Sequence, residues 1–197
     1  MSLRYSNKNL AEETKHIHHQ LVAKAQDFDQ HAQSKLYKLY NKAMFNTSNR
    51  IVADSFIAED IMQDAFIDGF RKIKSLELAS RFGPWLKRIV INKSLNAVNR
   101  TGMISNSLRN EEDSPILEES KEDDYEVQVG EVKIAMKSLA KQYQIIFSLY
   151  LIEGYDHEEI AEILGISSST SRSQLSRAKQ KVKEFIMLKR NDEVSRR

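Results

Sequence analysis

Residues 156–189 read DHEEIAEILGISSSTSRSQLSRAKQKVKEFIMLK, and this stretch decides how the C-terminal part of the chain folds. Apolar residues recur in it at three- and four-residue spacing, which predicts two amphipathic helices. Asp156 stands three residues before a glutamate, the spacing of a capping box at a helix start. Gly165 ends the first helix, because only glycine adopts left-handed torsions at little cost, and Ser167 or Ser168 caps the second. The stretch therefore predicts two helices joined by a tight turn.

The second helix of this pair presents small polar and basic side chains on its predicted exposed face. Arg and Gln make bidentate contacts with base edges, whereas Ser, Thr and Lys hold phosphates. From residue 172 onward the chain has nine basic and three acidic residues. A solvated helix in an ordinary bundle is the alternative, but the glycine turn and the Ser/Thr-rich start together favour a helix-turn-helix that enters a major groove. The predicted exposed face comprises Ser169, Thr170, Arg172, Ser173, Gln174, Arg177 and Lys181.

The composition excludes several classes of protein. The chain has no Cys, which removes disulfides, thiolate zinc sites and cysteine nucleophiles and suits a cytoplasmic location. No apolar run approaches the roughly 20 residues that cross a membrane, and no signal peptide is recognisable at the N-terminus. Only 6 Gly and 2 Pro are present, which favours long helices. We expect an all-α, cytoplasmic protein without membrane insertion, metal or cofactor.

The N-terminal part is predicted to be a polar extension, residues 1–26, followed by a helical domain, residues 27–101. The histidines of the extension lack carboxylate partners at helical spacing and predict a solvated helix or tail rather than a metal site; they are His16, His18 and His19. A first core helix is predicted from 27 to about 46, with an apolar side of Phe28, Leu36, Leu39, Tyr40, Ala43 and Met44. A second is predicted from about 51 to 73, with a buried side of Phe56, Ile61, Met62, Ala65, Phe66, Gly69, Phe70 and Ile73.

The opposite side of this second helix is acidic. It carries Glu59, Asp60, Gln63, Asp64 and Asp68. An acidic helical face is usually solvated, but it can also dock on a basic partner.

A basic helix with neighbouring aromatic residues follows, beginning at Pro84, which suits a first helical turn. No acidic residue occurs from Arg81 to Arg100. Bases stack on aromatic rings while cations hold phosphates, so this composition suits single-stranded nucleic acid. Phe82 and Trp85 are alternatively core residues. Trp85 remains open between the two interpretations, since a tryptophan can pack one edge and expose the other.

An acidic segment, residues 102–130, separates this domain from a second helical bundle, residues 131–190, which contains the helix-turn-helix. Between residues 111 and 126 the segment has nine carboxylates against one lysine. This composition predicts a flexible linker. Residues 191–197 are predicted to form a C-terminal tail.

Three motifs in this order resemble the extracytoplasmic-function (ECF) sigma factors, the minimal specificity subunits of bacterial RNA polymerase. Residues 58–66 read AEDIMQDAF, similar to the Ala-Glu-Asp-x-x-Gln-Asp/Glu-x-Phe run of the family. Residues 85–92 read WLKRIVIN, similar to its promoter-melting helix, and residues 159–178 resemble its second module. The resemblance spans about residues 27–186. Ser171 and Gln174 stand where many relatives have Val and Arg. This difference bears on which promoter sequence is recognised rather than on the activity.

The resemblance implies a role for each matching surface. The contact with the polymerase core is expected at Glu59, Asp60, Gln63 and Asp64. The −10 element is expected to be bound as a single strand by Ser80, Phe82, Trp85, Lys87, Arg88, Asn92, Lys93, Asn96 and Arg100, with the loop 74–83 selecting a flipped base. The −35 element is expected to be read as duplex by Ser168, Thr170, Arg172, Ser173, Gln174, Arg177 and Lys181.

The expected function is therefore that of a sigma factor, which binds core polymerase, recognises two promoter elements and helps to melt DNA. The alternative is a helix-turn-helix regulator that does not bind core polymerase. The basic–aromatic helix favours the sigma factor over the regulator, because a protein that reads only duplex has no use for base-stacking groups. An enzyme is disfavoured, since no nucleophile, base and orienting group can be assembled. The resemblance adds an anti-sigma protein to the expected partners, although no residue here indicates one.

Overall fold

The computed structural model describes residues 17–100 and 129–195, with side chains described as far as residue 191. Within these ranges the chain is helical and has no strand, as expected for an all-α protein. The helices fall into two compact units that divide near Ala97. Most of the predicted acidic linker, His16 and the end of the predicted tail lie outside the described residues. The predicted domain boundaries at 26, 101, 130 and 190 stay predictions.

In the described residues, four helices build the first unit. They are α1 over residues 17–26, α2 over Gln30–Val52, α3 over Ser55–Lys72 and α4 over Phe82–Arg100, with short 3-10 turns at Ile73–Ser75 and Ala79–Arg81 between α3 and α4. Aspartates begin two of these helices, because their carboxylates accept hydrogen bonds from backbone N–H groups that have no partner within the helix. Asp29 accepts from the N–H of Ala32, and Asp54 accepts from those of Phe56 and Ile57.

The core of the first unit forms where all four helices meet. Phe82 at the start of α4 is fully buried, and aromatic rings from α2 and α3 surround it: Tyr40 at 5.3 Å and Phe70 at 6.4 Å between centroids. The buried apolar side chains that pack together here are Val22, Ala25, Ala32, Leu36, Met44, Met62, Ala65, Phe66, Ile73, Leu76, Phe82, Leu86 and Val90.

Two predictions about this core are wrong. The segment 17–26 is not simply solvated, since Val22 and Ala25 are fully buried against α2 and its neighbours. Conversely, four residues predicted to be buried are exposed, because they lie off the inward stripes of α2 and α3 or, for the first of them, in the turn before α2. They are Phe28, Leu39, Ala43 and Phe56.

The second unit contains the predicted helix-turn-helix. Its helices are α5 over Val129–Ser138, α6 over Lys141–Phe147 continued by a π turn over Ser148–Ile152, α7 over His157–Leu164 and α8 over Ser168–Ser195. The apolar stripe predicted for α8 faces the core through Leu175, Ala178, Val182 and Ile186. The side chain of Arg190 near the end of α8 donates to both carboxylate oxygens of Glu131 in α5, at 3.0 and 2.7 Å.

The predicted turn between α7 and α8 is confirmed in detail. Asp156 and Glu159 form a reciprocal capping box at the start of α7. Gly165 ends α7 with φ of 67°, the left-handed conformation that glycine adopts without strain. Ser167 caps α8, because its Oγ accepts from the N–H of Thr170 at 3.0 Å. No helix in the described part of the chain is long and apolar enough to cross a membrane.

The close approach of α4 to α2 predicts a strict requirement for glycine at position 83. A Cβ at Gly83 would lie 2.9 Å from Cε1 of Tyr40, closer than real Cβ contacts, so we expect Gly83→Ala to destabilise the first unit by about 1–3 kcal/mol. Trp85 is the only tryptophan, so urea unfolding followed by its fluorescence reports this unit. Gly130→Ala in α5 is the control, because no atom lies within 4 Å of the added Cβ. Its unfolding is followed by circular dichroism, because it lies in the second unit. An unchanged transition in Gly83→Ala would show that the helices separate easily.

Candidate nucleic-acid and protein interfaces

One side of α4 carries a polar stripe at helical spacing. Its members are three or four positions apart, so they share one face of the helix. Arg88 and Trp85 are half-buried at its N-terminal end, whereas the later members are exposed. The stripe comprises Trp85, Arg88, Asn92, Asn96 and Arg100.

Trp85 is partly buried and partly exposed, so neither of its two interpretations is excluded. Its side chain is half-buried, and a Cβ placed on Gly69 of α3 would lie 3.7 Å from the indole Cζ3. The Phe82 ring lies 6.1 Å away, between centroids. Part of the indole thus packs on the unit, while part of the side chain is exposed to solvent.

Phe82 does not belong to the accessible surface. It was expected to contact the −10 strand, but its side chain has no exposed area. At the first residue of α4 it lies four positions before Leu86 and eight before Val90, on the inward stripe of the helix. The prediction that Phe82 contacts DNA is wrong for the structure described here, because its ring is enclosed by the core.

The positive charge of Lys93 is paired with carboxylates of the first unit. Its Nζ lies 2.7 Å from a carboxylate oxygen of Asp68 and 4.0 Å from one of Asp64, both on α3. The hydrogen bond from Lys93, aided by the positive charges of Lys93, Lys72 and Arg71, holds the pKa of Asp68 below its usual range. Sequence patterns could not identify this pair, since its members lie on different helices. Lys87, the remaining predicted basic residue of this surface, is half-buried.

The loop between α3 and α4 projects from two buried ends. Leu76 and Phe82 are buried, whereas the residues between them are exposed apart from a half-buried Ala79. Ser80, one of the residues expected at the −10 element, is exposed. The loop is therefore available to a ligand next to the start of α4.

The acidic face of α3 is exposed as expected. All four residues expected to meet the polymerase core lie on it and are open to solvent: Glu59, Asp60, Gln63 and Asp64. A groove lies beside this face, between α2 and α3, and its apolar lining includes Tyr37, Phe66, Ile67 and Phe70. The sequence predicted the charged face but not the groove, because the groove depends on how α2 packs against α3.

The start of α8 presents most of the residues expected to read duplex DNA. Arg172 and Lys181 are exposed, and the others of this group are half-buried: Ser168, Thr170, Ser173 and Arg177. The guanidinium of Arg172 donates to Oε1 of Glu158 in α7 at 2.8 Å. Ser167 Oγ lies 2.7 Å from the hydroxyl of Ser169 and 2.8 Å from that of Thr170, so the helix start is a connected polar surface.

Gln174 is the exception, and its predicted exposure is wrong. Its side chain has no exposed area, and it lies three residues after buried Ser171 and four before buried Ala178. The helical register turns position 174 towards the core, where its amide cannot reach a base edge.

His157 contributes to this turn, although the sequence analysis assigned it no role. Its Nδ1 lies 2.9 Å from the Oγ of buried Ser171, and its ring stacks on Tyr150 with centroids 4.7 Å apart. Burial, together with the positive charge of Arg172, lowers the pKa of His157. In the described residues, no group of His, Asp and Glu is arranged to hold a metal ion.

Comparisons with known proteins match both units to one family. The model of sigma-70 region 2 matches residues 36–103, and the model of sigma-70 region 4 matches residues 131–182. The first match contains α3 and α4, with the acidic face and the polar stripe. The second contains the helix-turn-helix.

Individual relatives agree with these matches. The chain is 24% identical to the ECF RNA polymerase sigma factor SigM of Bacillus subtilis, over 81% of this chain and 98% of that protein. It is 26% identical to the ECF RNA polymerase sigma factor SigE of Mycolicibacterium smegmatis, over 77% of this chain but only 60% of that protein. The fold resembles that of the sigma factor RpoE in complex with the anti-sigma factor NepR from Bartonella quintana, with a TM-score of 0.53 and 20% identity over 78% of this chain and 96% of that one. With two sigma-70 regions in family order and relatives named as such, the chain belongs to the ECF RNA polymerase sigma factors.

Proposed function

We propose that this sigma factor acts in the cytoplasm by binding core RNA polymerase through α3, reading a −35 duplex with α8 and holding a melted −10 strand on α4. The polar stripe from Trp85 to Arg100 is the observation that carries this proposal. It adds a base-stacking ring and hydrogen-bonding amides to a cationic helix in a unit separate from the helix-turn-helix.

The α4 stripe suits a single strand better than a duplex. The partly exposed indole of Trp85 is proposed to offer a ring surface on which any base can stack, and Arg88 and Arg100 lie on the same side of the helix to hold phosphates. Asn92 and Asn96 are exposed between them and supply donors and acceptors to base edges. Bases of a closed duplex are stacked on each other and cannot use such a platform. The stripe therefore favours a sigma factor over a regulator that only reads duplex.

The loop 77–81 is proposed to receive an extruded base next to the N-terminal end of the polar stripe on α4. Extruding a base costs a few kcal/mol of unstacking, which the pocket that receives it has to repay. Exposed Leu78 offers an apolar contact and exposed Ser80 a hydroxyl.

The −35 duplex is proposed to meet the start of α8. Small residues at this end of the helix allow close approach to the floor of a major groove. Arg172 is the proposed base reader, since a guanidinium donates two parallel hydrogen bonds to guanine. Lys181, two and a half turns along the helix, is proposed to hold a phosphate. Gln174 is left out of this set because it is buried.

Contact with core polymerase is proposed at the exposed acidic face of α3. Carboxylates on one helical face attract a basic partner and fix its orientation, while an adjacent apolar groove adds contact area. Glu59, Asp60 and Asp64 supply the charge, and the groove beside Gln63 supplies apolar lining.

An anti-sigma protein is proposed as a further partner. Two solved structures with this fold, the one from Bartonella quintana and that of CnrH with the cytosolic domain of CnrY, are complexes of two proteins, the former named with an anti-sigma factor. No covalent reaction is assigned to the chain.

The first test is runoff transcription with bacterial core polymerase on genomic promoter fragments, with and without the chain. We expect specific transcripts only when the chain is present. The double variant Trp85→Ala, Arg88→Ala should lower their yield more than tenfold, because one base–ring stack alone contributes about 1–3 kcal/mol. A template whose −10 region is already unpaired should recover part of the yield, since melting is no longer required.

Lys38→Ala is the matched control, because it removes an exposed cation from α2 rather than from α4. Circular dichroism of each variant separates a loss of folding from a loss of melting. Absence of core binding, together with tight duplex binding by the chain alone, would replace the proposal with the helix-turn-helix regulator.

A second test compares a proposed base reader with a proposed phosphate contact. Arg172→Ala should cost about 1–3 kcal/mol on the cognate −35 duplex and relax preference at one base pair. Lys181→Ala should weaken binding to all duplexes about equally and reduce the slope of log K against log salt by about 0.9. Fluorescence anisotropy with duplexes substituted one base pair at a time measures both effects. A uniform loss in Arg172→Ala would reassign that residue to a phosphate.

A further inference from the structure

The corner between α1 and α2 has an uncommon backbone conformation. Phe28 has φ of 64°, although it is not glycine, and its side chain is exposed. Its N–H donates to the carbonyl of Ala25 at 3.1 Å, and the N–H of Asp29 donates to that of Lys24 at 3.1 Å. A left-handed phenylalanine costs free energy and persists only where its surroundings require it. Contacts around the corner must therefore stabilise this conformation of Phe28.

Gln26, the last residue of α1, connects this corner to the loop between α3 and α4. Its Nε2 donates to the carbonyl of Ile73 at 3.1 Å and to that of Leu76 at 2.8 Å. One amide group thereby bridges both ends of the first 3-10 turn, using both of its N–H donors. The two residues that accept these bonds have buried side chains. The turn is thus fixed through its backbone and its side chains.

Phe28 makes a third contact with the same turn. The Nζ of Lys74 lies 4.6 Å from the centroid of the Phe28 ring, a distance at which the ring attracts a cation. The left-handed torsion of Phe28 is part of the geometry that brings its ring to Lys74. The corner therefore touches the turn at Ile73, Lys74 and Leu76.

Leu76 is the last buried residue before the exposed loop segment, and Phe82 is the next buried residue after it. The exposed segment 77–81 connects these two buried residues. The hydrogen bond from Gln26 to the Leu76 carbonyl fixes the position of the backbone at which the segment begins. We propose that Gln26 and Phe28 are positioning residues that hold the loop 77–81 and so determine how strictly it discriminates among bases of the −10 element. This inference rests on the proposed function of the loop.

The test measures base selectivity rather than activity alone. Runoff transcription is performed on a promoter with every base substitution at each −10 position and, in parallel, at each −35 position. Gln26→Met keeps the length of the side chain and removes both donors. We expect it to lower the ratio between the best and the worst −10 base roughly tenfold while leaving the −35 profile unchanged. Gln20→Met, an exposed residue of the same helix, should leave both profiles unchanged.

A second measurement requires no polymerase. Amide hydrogen exchange at Leu76 and Arg81, whose N–H groups donate within the two 3-10 turns, should accelerate at least several-fold in Gln26→Met, with little change in α3. Phe28→Asn is a second variant for the event that Gln26→Met unfolds, since asparagine tolerates left-handed torsions and lacks the ring. It should change exchange and −10 selectivity in the same direction.

The outcomes separate this inference from the proposed function. If the unaltered chain gives no core-dependent transcripts, the proposed function fails, and the exchange data alone decide whether the corner holds the loop. If the unaltered chain is selective and Gln26→Met keeps the same −10 profile, the inference is overturned and the sigma function stands. Faster exchange throughout α3 would also overturn it, because Gln26 would then stabilise the unit as a whole.

Discussion

Burial of the Phe82 ring is the constraint on which the first unit depends. The ring lies 5.3 Å from that of Tyr40 in α2, 6.4 Å from that of Phe70 in α3 and 6.4 Å from that of His18 in α1, so one side chain connects all four helices. His18 Nε2 lies 2.7 Å from the Tyr40 hydroxyl and holds that ring against the start of α4. Complete burial of a phenylalanine contributes about 1.5–3 kcal/mol. Its larger effect here is geometric, because it fixes where α4 begins and how it is rotated.

The rotation of α4 determines which of its side chains reach solvent. With Phe82 inward, Leu86, Val90 and Ser94 follow at four-residue intervals on the buried side. The Ser94 hydroxyl donates to Ser48 of α2 at 3.0 Å, so even the polar member of this stripe has a buried partner. The polar stripe that begins at Trp85 lies on the other side of α4 from these buried residues and therefore faces solvent. A buried phenylalanine thus orients the proposed nucleic-acid face without belonging to it.

The parts of this arrangement that could be predicted are those that depend on local periodicity. The helix-turn-helix was predictable because Asp156, Gly165 and Ser167 each act on neighbouring backbone. Phe82 and Gln174 were misassigned because their residue types suited DNA, whereas their helical registers point inward. The bonds from Gln26 to carbonyls 47 and 50 residues away could not be predicted, since they depend on the packing of α1 against the turn after α3.

In each of the two proposed nucleic-acid faces, a cation pairs with a carboxylate of the preceding helix: Lys93 with Asp68 in the first unit and Arg172 with Glu158 in the second. Exposed ion pairs contribute little stability, typically about 0–1 kcal/mol, so stability alone does not explain them. A carboxylate beside a DNA-binding face also repels phosphates, which weakens nonspecific binding. For Arg172 the bond restrains a long side chain near the end of α8 that is proposed to enter the groove, so less conformational entropy would be lost on binding a base. If Arg172 reads a base as proposed, the pair with Glu158 lowers the affinity for DNA of any sequence and raises the discrimination among sequences, which is the property that a promoter-reading protein requires.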